Sequence, residues 1–216
     1  MTTPTIPIKA ILFDLEGTVI DTEPIWSETD VEFLGGHGLT YNEVDIKPRV
    51  MGKNLREVIS LYQRDYGLKG DPAELVAERR AIFKRLLERE IAFIPGFQEF
   101  FAHVRPHYQT AIATSMERGY IATVDQTLFL NKLFDGHIYS IEDIGFVSKP
   151  NPDIFLYAAR ELNVAPEHCL VIEDAPNGVE AAHRAGMRVV ALTTSTTREH
   201  LTSADQVVDR YAEIKL

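Results

Sequence analysis

A succession of short apolar runs, most of them separated by helical patterns, constrains this chain more than any other feature. Lys9 to Asp14, Thr110 to Thr114, His137 to Tyr139, Cys169 to Glu173 and Val189 to Leu192 read as buried strands, with Gln206 to Val208 as a weaker sixth. Helical spacing fills 96–104, 120–128, 152–162 and 179–185. Strands that alternate with helices predict an α/β fold, a parallel sheet covered on both faces. Gly186 follows the last of these helices, where a left-handed C-cap belongs.

The alternation stops between Thr22 and Ile91, where no convincing strand occurs. Three helical patterns can be read there: Pro24 to Leu34, Leu55 to Tyr66 and Pro72 to Arg89. Asp71-Pro72 supplies an N-cap and a first-turn proline for the third. The chain returns to the sheet near Ile94-Pro95-Gly96. The expected organisation is a core of residues 1–21 and 92–216 with a helical cap, 22–91, inserted after the first strand. A lid over the carboxyl ends of the strands is the economical arrangement.

Four polar sites fall where strands should end. They are Asp14-Leu15-Glu16-Gly17-Thr18, Thr114-Ser115, Lys149-Pro150-Asn151-Pro152 and Glu173-Asp174. In a parallel sheet the strand ends on one side converge on a single crevice. Taken singly, each residue has an ordinary reading: Asp14 and Ser115 as caps, Thr114 as a strand residue, Lys149 as solvated, Glu173-Asp174 as a charged loop. Their ordered recurrence after strands points instead to chemistry.

The set suits phosphoryl transfer. A phosphomonoester brings close to two negative charges, so a carboxylate cannot approach it unless that charge is screened. A hard divalent cation held by oxygens of Asp14 and Asp174 would screen it. Lys149 adds fixed positive charge, while Thr114 and Ser115 offer hydroxyls. Asp14 could then attack phosphorus, and Glu16 could protonate the leaving oxygen and later activate water.

The formal charge of −10 argues against a nucleic-acid or anionic-membrane surface, though not against an anionic metabolite held by a few local cations. Cys169, the single cysteine, rules out an intrachain disulfide and fits a reducing compartment. It is read as a buried core residue. With no signal-peptide pattern and no membrane-length apolar run, the expectation is a cytoplasmic, monomeric enzyme.

These residues resemble the haloacid dehalogenase-like hydrolase superfamily across essentially the whole chain. The four motifs correspond to Phe13-Asp14-Leu15-Glu16-Gly17-Thr18, Ala113-Thr114-Ser115, Ser148-Lys149-Pro150 and Ile172-Glu173-Asp174 with Asn177-Gly178 beyond. The resemblance implies a Rossmann-like core with a helical cap. It makes Asp14 the nucleophile, and makes Asp14, Asp174 and the backbone carbonyl of Glu16 ligands of Mg²⁺. Glu173 would act through a bound water, and Ser115 and Lys149 would hold phosphate.

Asp21-Thr22-Glu23-Pro24-Ile25-Trp26 and Ile94-Pro95-Gly96 look like the sugar-phosphatase and β-phosphoglucomutase branch. The implied substrate is a small phosphorylated sugar or polyol. Glu16 and Asp174 argue against dehalogenase chemistry, which usually has an aromatic residue at position 16 and needs no metal. Phosphonatases lack an acid there and use a cap lysine; Lys47 and Lys53 sit in no such context. β-Phosphoglucomutase carries a histidine where Trp26 stands.

The superfamily pattern is Asp-x-Asp, so Glu16 departs from it, although the enolase-phosphatase branch also carries Glu. The two side chains differ little in pKa, about 4.3 against 3.9. The extra carbon–carbon bond adds roughly 1.5 Å of reach. Metal binding through the carbonyl should therefore persist better than turnover.

Specificity is expected in the cap, near Glu23, Trp26 and Arg49 to Lys53. Arg49 could meet a second anionic or sugar group or remain solvated. Trp26 could stack on a sugar or belong to the core. Asn177 is read as a cap for the helix after Asp174.

Overall fold

The structure, a computed structural model, describes residues 6–50, 55–89 and 91–216, so Lys53 and the first five residues lie outside the described residues. The chain forms two compact units. One runs up to Asp21 and from Ala92 onward, and the other is Thr22–Ile91.

The first unit holds a six-stranded parallel sheet: β1 (Ala10–Phe13), β2 (Gln109–Thr114), β3 (Ile138–Ser140), β4 (Cys169–Glu173), β5 (Arg188–Leu192) and β6 (Gln206–Val208). Their order is β3-β2-β1-β4-β5-β6. β1 has no polar alternation because both of its faces are covered. Ala10 and Leu12 lie in a core with Ile154, Phe155, Val179 and Ala182. The ring of Phe13 instead meets Phe97 at 5.8 Å and Phe134 at 5.7 Å, edge-on. The helices of this unit are Phe97–Val104, Arg118–Leu128, Leu130–Leu133, Asp153–Glu161 and Pro176–Arg184. Gly186 has φ +74°, as its expected place past a helix end requires. Cys169 is fully buried, and burial pushes its thiol up to about 11.

The second unit is helical: Glu23–Gly36, Glu43–Val50, Leu55–Asp65 and Pro72–Leu87. Asp71 caps the last of these, its Oδ1 accepting from the backbone N–H of Ala73 at 2.9 Å and of Glu74 at 3.2 Å. Phe33, Leu34, Ile46, Val58, Ile59, Tyr62 and Leu75 form the core of this unit. Inside it Arg79 and Asp30 meet fork to fork, Nε to Oδ1 at 2.8 Å and Nη2 to Oδ2 at 3.1 Å.

Glu43–Val50 is one helix more than the sequence reading finds. It offers Ile46 to the core and carries Pro48 in its last turn, so its apolar periodicity is faint. Its acidic first turn (Glu43, Asp45) and basic last turn (Lys47, Arg49) complement the helix dipole and are the signal that could have revealed it. No described helix is long and apolar enough to cross a membrane.

Candidate active site

Strand register brings the polar groups level. Phe13 lies opposite Ile112 on one side and Ile172 on the other, and the Asp14 N–H donates to the Ile172 carbonyl at 2.9 Å. Asp14 is thus held just beyond β1, beside Glu173 at the end of β4. The chain builds outward from β1 through β2 to β3, then crosses back to β4. The boundary between β1 and β4 is the topological switch point, where open α/β sheets bind ligands.

Four charged side chains meet there, and all are buried: Asp14, Lys149, Glu173 and Asp174. Lys149 Nζ donates to Asp14 Oδ1 at 2.5 Å and to Glu173 Oε1 at 2.8 Å. Glu173 Oε2 accepts from the backbone N–H groups of Asp174 and Ala175, both at 2.7 Å. This carboxylate occupies the entrance to the helix Pro176–Arg184. Asn177 is not its cap, because it lies inside the helix and Ala175 stands at the N-cap position.

Asp174 is met by hydroxyls. Thr18 Oγ1 donates to its Oδ1 at 3.3 Å, and Ser195 Oγ lies with Asp174 Oδ2 against the Gly17 α-carbon. Two glycines make room. Gly17 has φ +72°, and a Cβ there would overlap Asp174 Oδ2 and Ser195 Oγ. A Cβ at Gly178 would overlap the Glu173 carboxylate.

The loop after Asp14 is closed on itself by the Gly17 N–H to the Ile20 carbonyl at 2.8 Å. It is also tied from outside. Thr194 Oγ1 donates to the Gly17 carbonyl, and Tyr211 Oη donates to the Thr18 carbonyl at 2.8 Å. Glu16 is half-buried in this loop.

The charges do not balance. Asp14, Glu173 and Asp174 offer carboxylate oxygens within 4.8 Å of one another, against, among the described residues, the one ammonium of Lys149. Burial is the main force raising Asp14 from 3.8 to about 7. Lys149 opposes that rise, while Glu173 and Glu16 add to it. Asp174 is raised well above the usual carboxylate range, again mainly by burial and then by Glu173 and Asp14. Burial works against the charge on Lys149, but Asp14 and Glu173 overcome it and hold the amine protonated.

A buried surplus of hard oxygen donors fits a divalent cation such as Mg²⁺. Asp14, Glu173 and Asp174 each offer an oxygen that could hold it.

Thr114 ends β2, buried, and its Oγ1 accepts from the Met116 N–H at 3.0 Å. Ser115 follows it and is exposed. The other expected residues lie in the helical unit. Glu23 pairs with Lys47 at 2.8 Å. Trp26 stacks on Phe83 with ring centroids 3.7 Å apart, and the Arg79 guanidinium lies 4.8 Å from its centroid. Arg49 is engaged by Asp65 and by the Tyr66 hydroxyl, the latter at 2.8 Å.

Sequence reasoning overlooks Thr194, Ser195 and Tyr211. A signal exists for the first two: Thr193-Thr194-Ser195-Thr196-Thr197 follows β5 directly, a fifth polar strand end. Nothing local marks Tyr211.

Known proteins share this architecture. The family model for haloacid dehalogenase-like hydrolases matches residues 8–186. Protein CbbY of Cereibacter sphaeroides is 31% identical, over 96% of this chain and 94% of its own. The phosphorylated carbohydrates phosphatase of Thermotoga maritima is 31% identical, over 83% and 82%. The crystal structure of a mutant CbbY from Rhodobacter sphaeroides in complex with xylulose-(1,5)bisphosphate superposes with a TM-score of 0.78 at 29% identity, covering 95% of this chain and 96% of that one. With its parallel sheet and the four motif sites in order, the chain belongs to the haloacid dehalogenase-like hydrolase family.

Proposed function

We propose that this phosphatase hydrolyses a small phosphorylated sugar or polyol, with Mg²⁺ bound, through an aspartyl-phosphate on Asp14. The observation that carries the reading is the buried cluster of three carboxylates at the switch point, two of which share one lysine. The phosphatases of phosphorylated carbohydrates and hexitols among its relatives support the substrate class.

A cation held there by Asp14 and Asp174 would supply positive charge, favouring ionised Asp14 and screening the incoming phosphate. Lys149 holds one oxygen of Asp14, and the other attacks phosphorus. As the bond to the sugar oxygen breaks, Glu16 gives that oxygen its proton. Glu16 then takes a proton from water. The water oxygen attacks phosphorus, the bond to Asp14 breaks, and phosphate leaves. Lys149 offsets charge on the phosphoryl oxygens in both steps, with Thr114 and Ser115 lining the phosphate. The net charge of −10 and the single buried cysteine support a cytoplasmic, monomeric enzyme that uses neither nucleic acid nor membrane.

The test is phosphate release from a panel of sugar and polyol phosphates with and without Mg²⁺. The reading expects Mg²⁺-dependent release that Asp14→Asn abolishes. No release from any member contradicts it, and isomerised sugar phosphate without free phosphate would mark a mutase.

A further inference from the structure

The loop after β5 has no part in the reaction above, yet it reaches the reacting groups. We propose that Ser195 and Thr194 are positioning residues for the cation site, Ser195 by orienting Asp174 and Thr194 by fixing the turn that presents the Glu16 carbonyl. The inference rests on the reading of a divalent-cation phosphatase given above.

Asp174 is nearly fully buried, at 4% exposure, beside two other carboxylates. A cationic partner would orient it but would also neutralise the charge a metal needs. Lys149 instead engages Asp14 and Glu173. Among the described residues two hydroxyls stand by Asp174: Thr18 donates to its Oδ1, and Ser195 Oγ shares with its Oδ2 the space against the Gly17 α-carbon. A hydroxyl fixes the direction of a carboxylate and leaves its charge intact, which suits a partner standing behind a metal ligand.

Space makes the arrangement specific. The Gly17 α-carbon is so close to Asp174 Oδ2 and Ser195 Oγ that no Cβ fits. The three groups therefore fix one another. The same glycine is held from its other side, its carbonyl accepting from Thr194 Oγ1. One residue on, the Thr18 carbonyl is held by Tyr211. The two peptide units after Glu16 are tied to segments nearly two hundred residues away in sequence, and the Glu16 carbonyl inherits their orientation.

The experiment measures cation binding directly, by Mg²⁺ titration in a calorimeter and by Mn²⁺ paramagnetic resonance, on the wild-type chain, Ser195→Ala, Ser195→Thr and Thr194→Val. Loss of a residue supporting a metal ligand typically weakens affinity by about 10- to 100-fold. Ser195→Ala and Thr194→Val should each fall in that range, and Ser195→Thr should recover most of the loss. The Mg²⁺ concentration at half-maximal phosphate release should rise in step, while kcat at saturating Mg²⁺ returns close to wild type. The metal-free Tm should stay within about 2 °C.

Unchanged affinity in both variants overturns the inference, whatever happens to Tm. So does a loss of kcat that Mg²⁺ does not restore. If the wild-type chain itself binds no cation, the underlying phosphatase reading falls first, and the two failures are thereby told apart.

Discussion

Each unit of this protein buries charge, and the two do it differently. In the helical unit Asp30 and Arg79 form a one-to-one pair, with each side chain 4% exposed and two parallel hydrogen bonds between them. In the sheet unit three clustered carboxylates have one ammonium among the described residues, and it pairs with only two of them. The first arrangement is electrostatically complete and asks for nothing. The second is short of positive charge, and burial with the neighbouring carboxylates drives Asp14 up to about 7 against the pull of Lys149. Buried charge is therefore no mark of a site by itself. An uncompensated sign, set at the end of strands that flank a switch point, is.

The largest expected effect comes from removing the attacking group. Asp14→Asn should lower phosphate release by on the order of 10⁴-fold or more while leaving the far-ultraviolet circular dichroism unchanged. Activity within tenfold of wild type would remove Asp14 from the chemistry.

Breaking the complete pair should cost stability instead. Arg79→Met leaves Asp30 buried and unpaired, an effect of about 3–5 kcal/mol, read as a lower denaturant midpoint. Mg²⁺ affinity of the folded chain should stay close to wild type, since the two clusters share no partners. A stable Arg79→Met protein that loses Mg²⁺ would dissolve the distinction between the clusters.

A smaller effect is expected at Glu16. Its neighbours are tied by Thr194 and Tyr211, so backbone movement is poorly placed to absorb the extra methylene. Misplacement on this scale costs about 100-fold in rate. Glu16→Asp should raise kcat toward that limit with little change in Mg²⁺ affinity. An Asp variant no faster than wild type would show that the pocket accommodates Glu16.

Much of this was legible in the sequence because the sheet is buried on both faces. Ala10, Leu12 and Phe13 all face other atoms, so the strands read as unbroken apolar runs. Polar residues at their ends stood out for the same reason, and Asp14, Lys149, Glu173 and Asp174 do converge.

The helix Glu43–Val50 was hidden because Ile46 is its main anchor and a proline at position 48 argues against a helix in the sequence. The partners of Arg49 were hidden because Asp65 and Tyr66 come from a different helix and its flank, which no spacing rule pairs with it. Ser195 was hidden because a run of Thr and Ser after a strand looks like an ordinary solvated loop. What makes it part of a site is its approach to Gly17 and Asp174, a tertiary fact.

The smallest effect is a dependence on pH. The Asp14 carboxyl titrates near 7 in the metal-free fold, above its ordinary 3.8. Its protonation therefore stabilises that fold fully at low pH, and this contribution is lost as pH rises through about 7. Cation binding needs the ionised form, so its contribution grows over the same interval.

The most direct measurement of the central claim is the thermal unfolding of the metal-free chain with increasing Mg²⁺, at pH 5.5 and pH 8. At 100 times the dissociation constant a bound cation adds about 2.7 kcal/mol. The account predicts a Tm that climbs with Mg²⁺ at pH 8, climbs much less at pH 5.5, and barely moves in Asp174→Asn. A Tm indifferent to millimolar Mg²⁺ at pH 8 would contradict it.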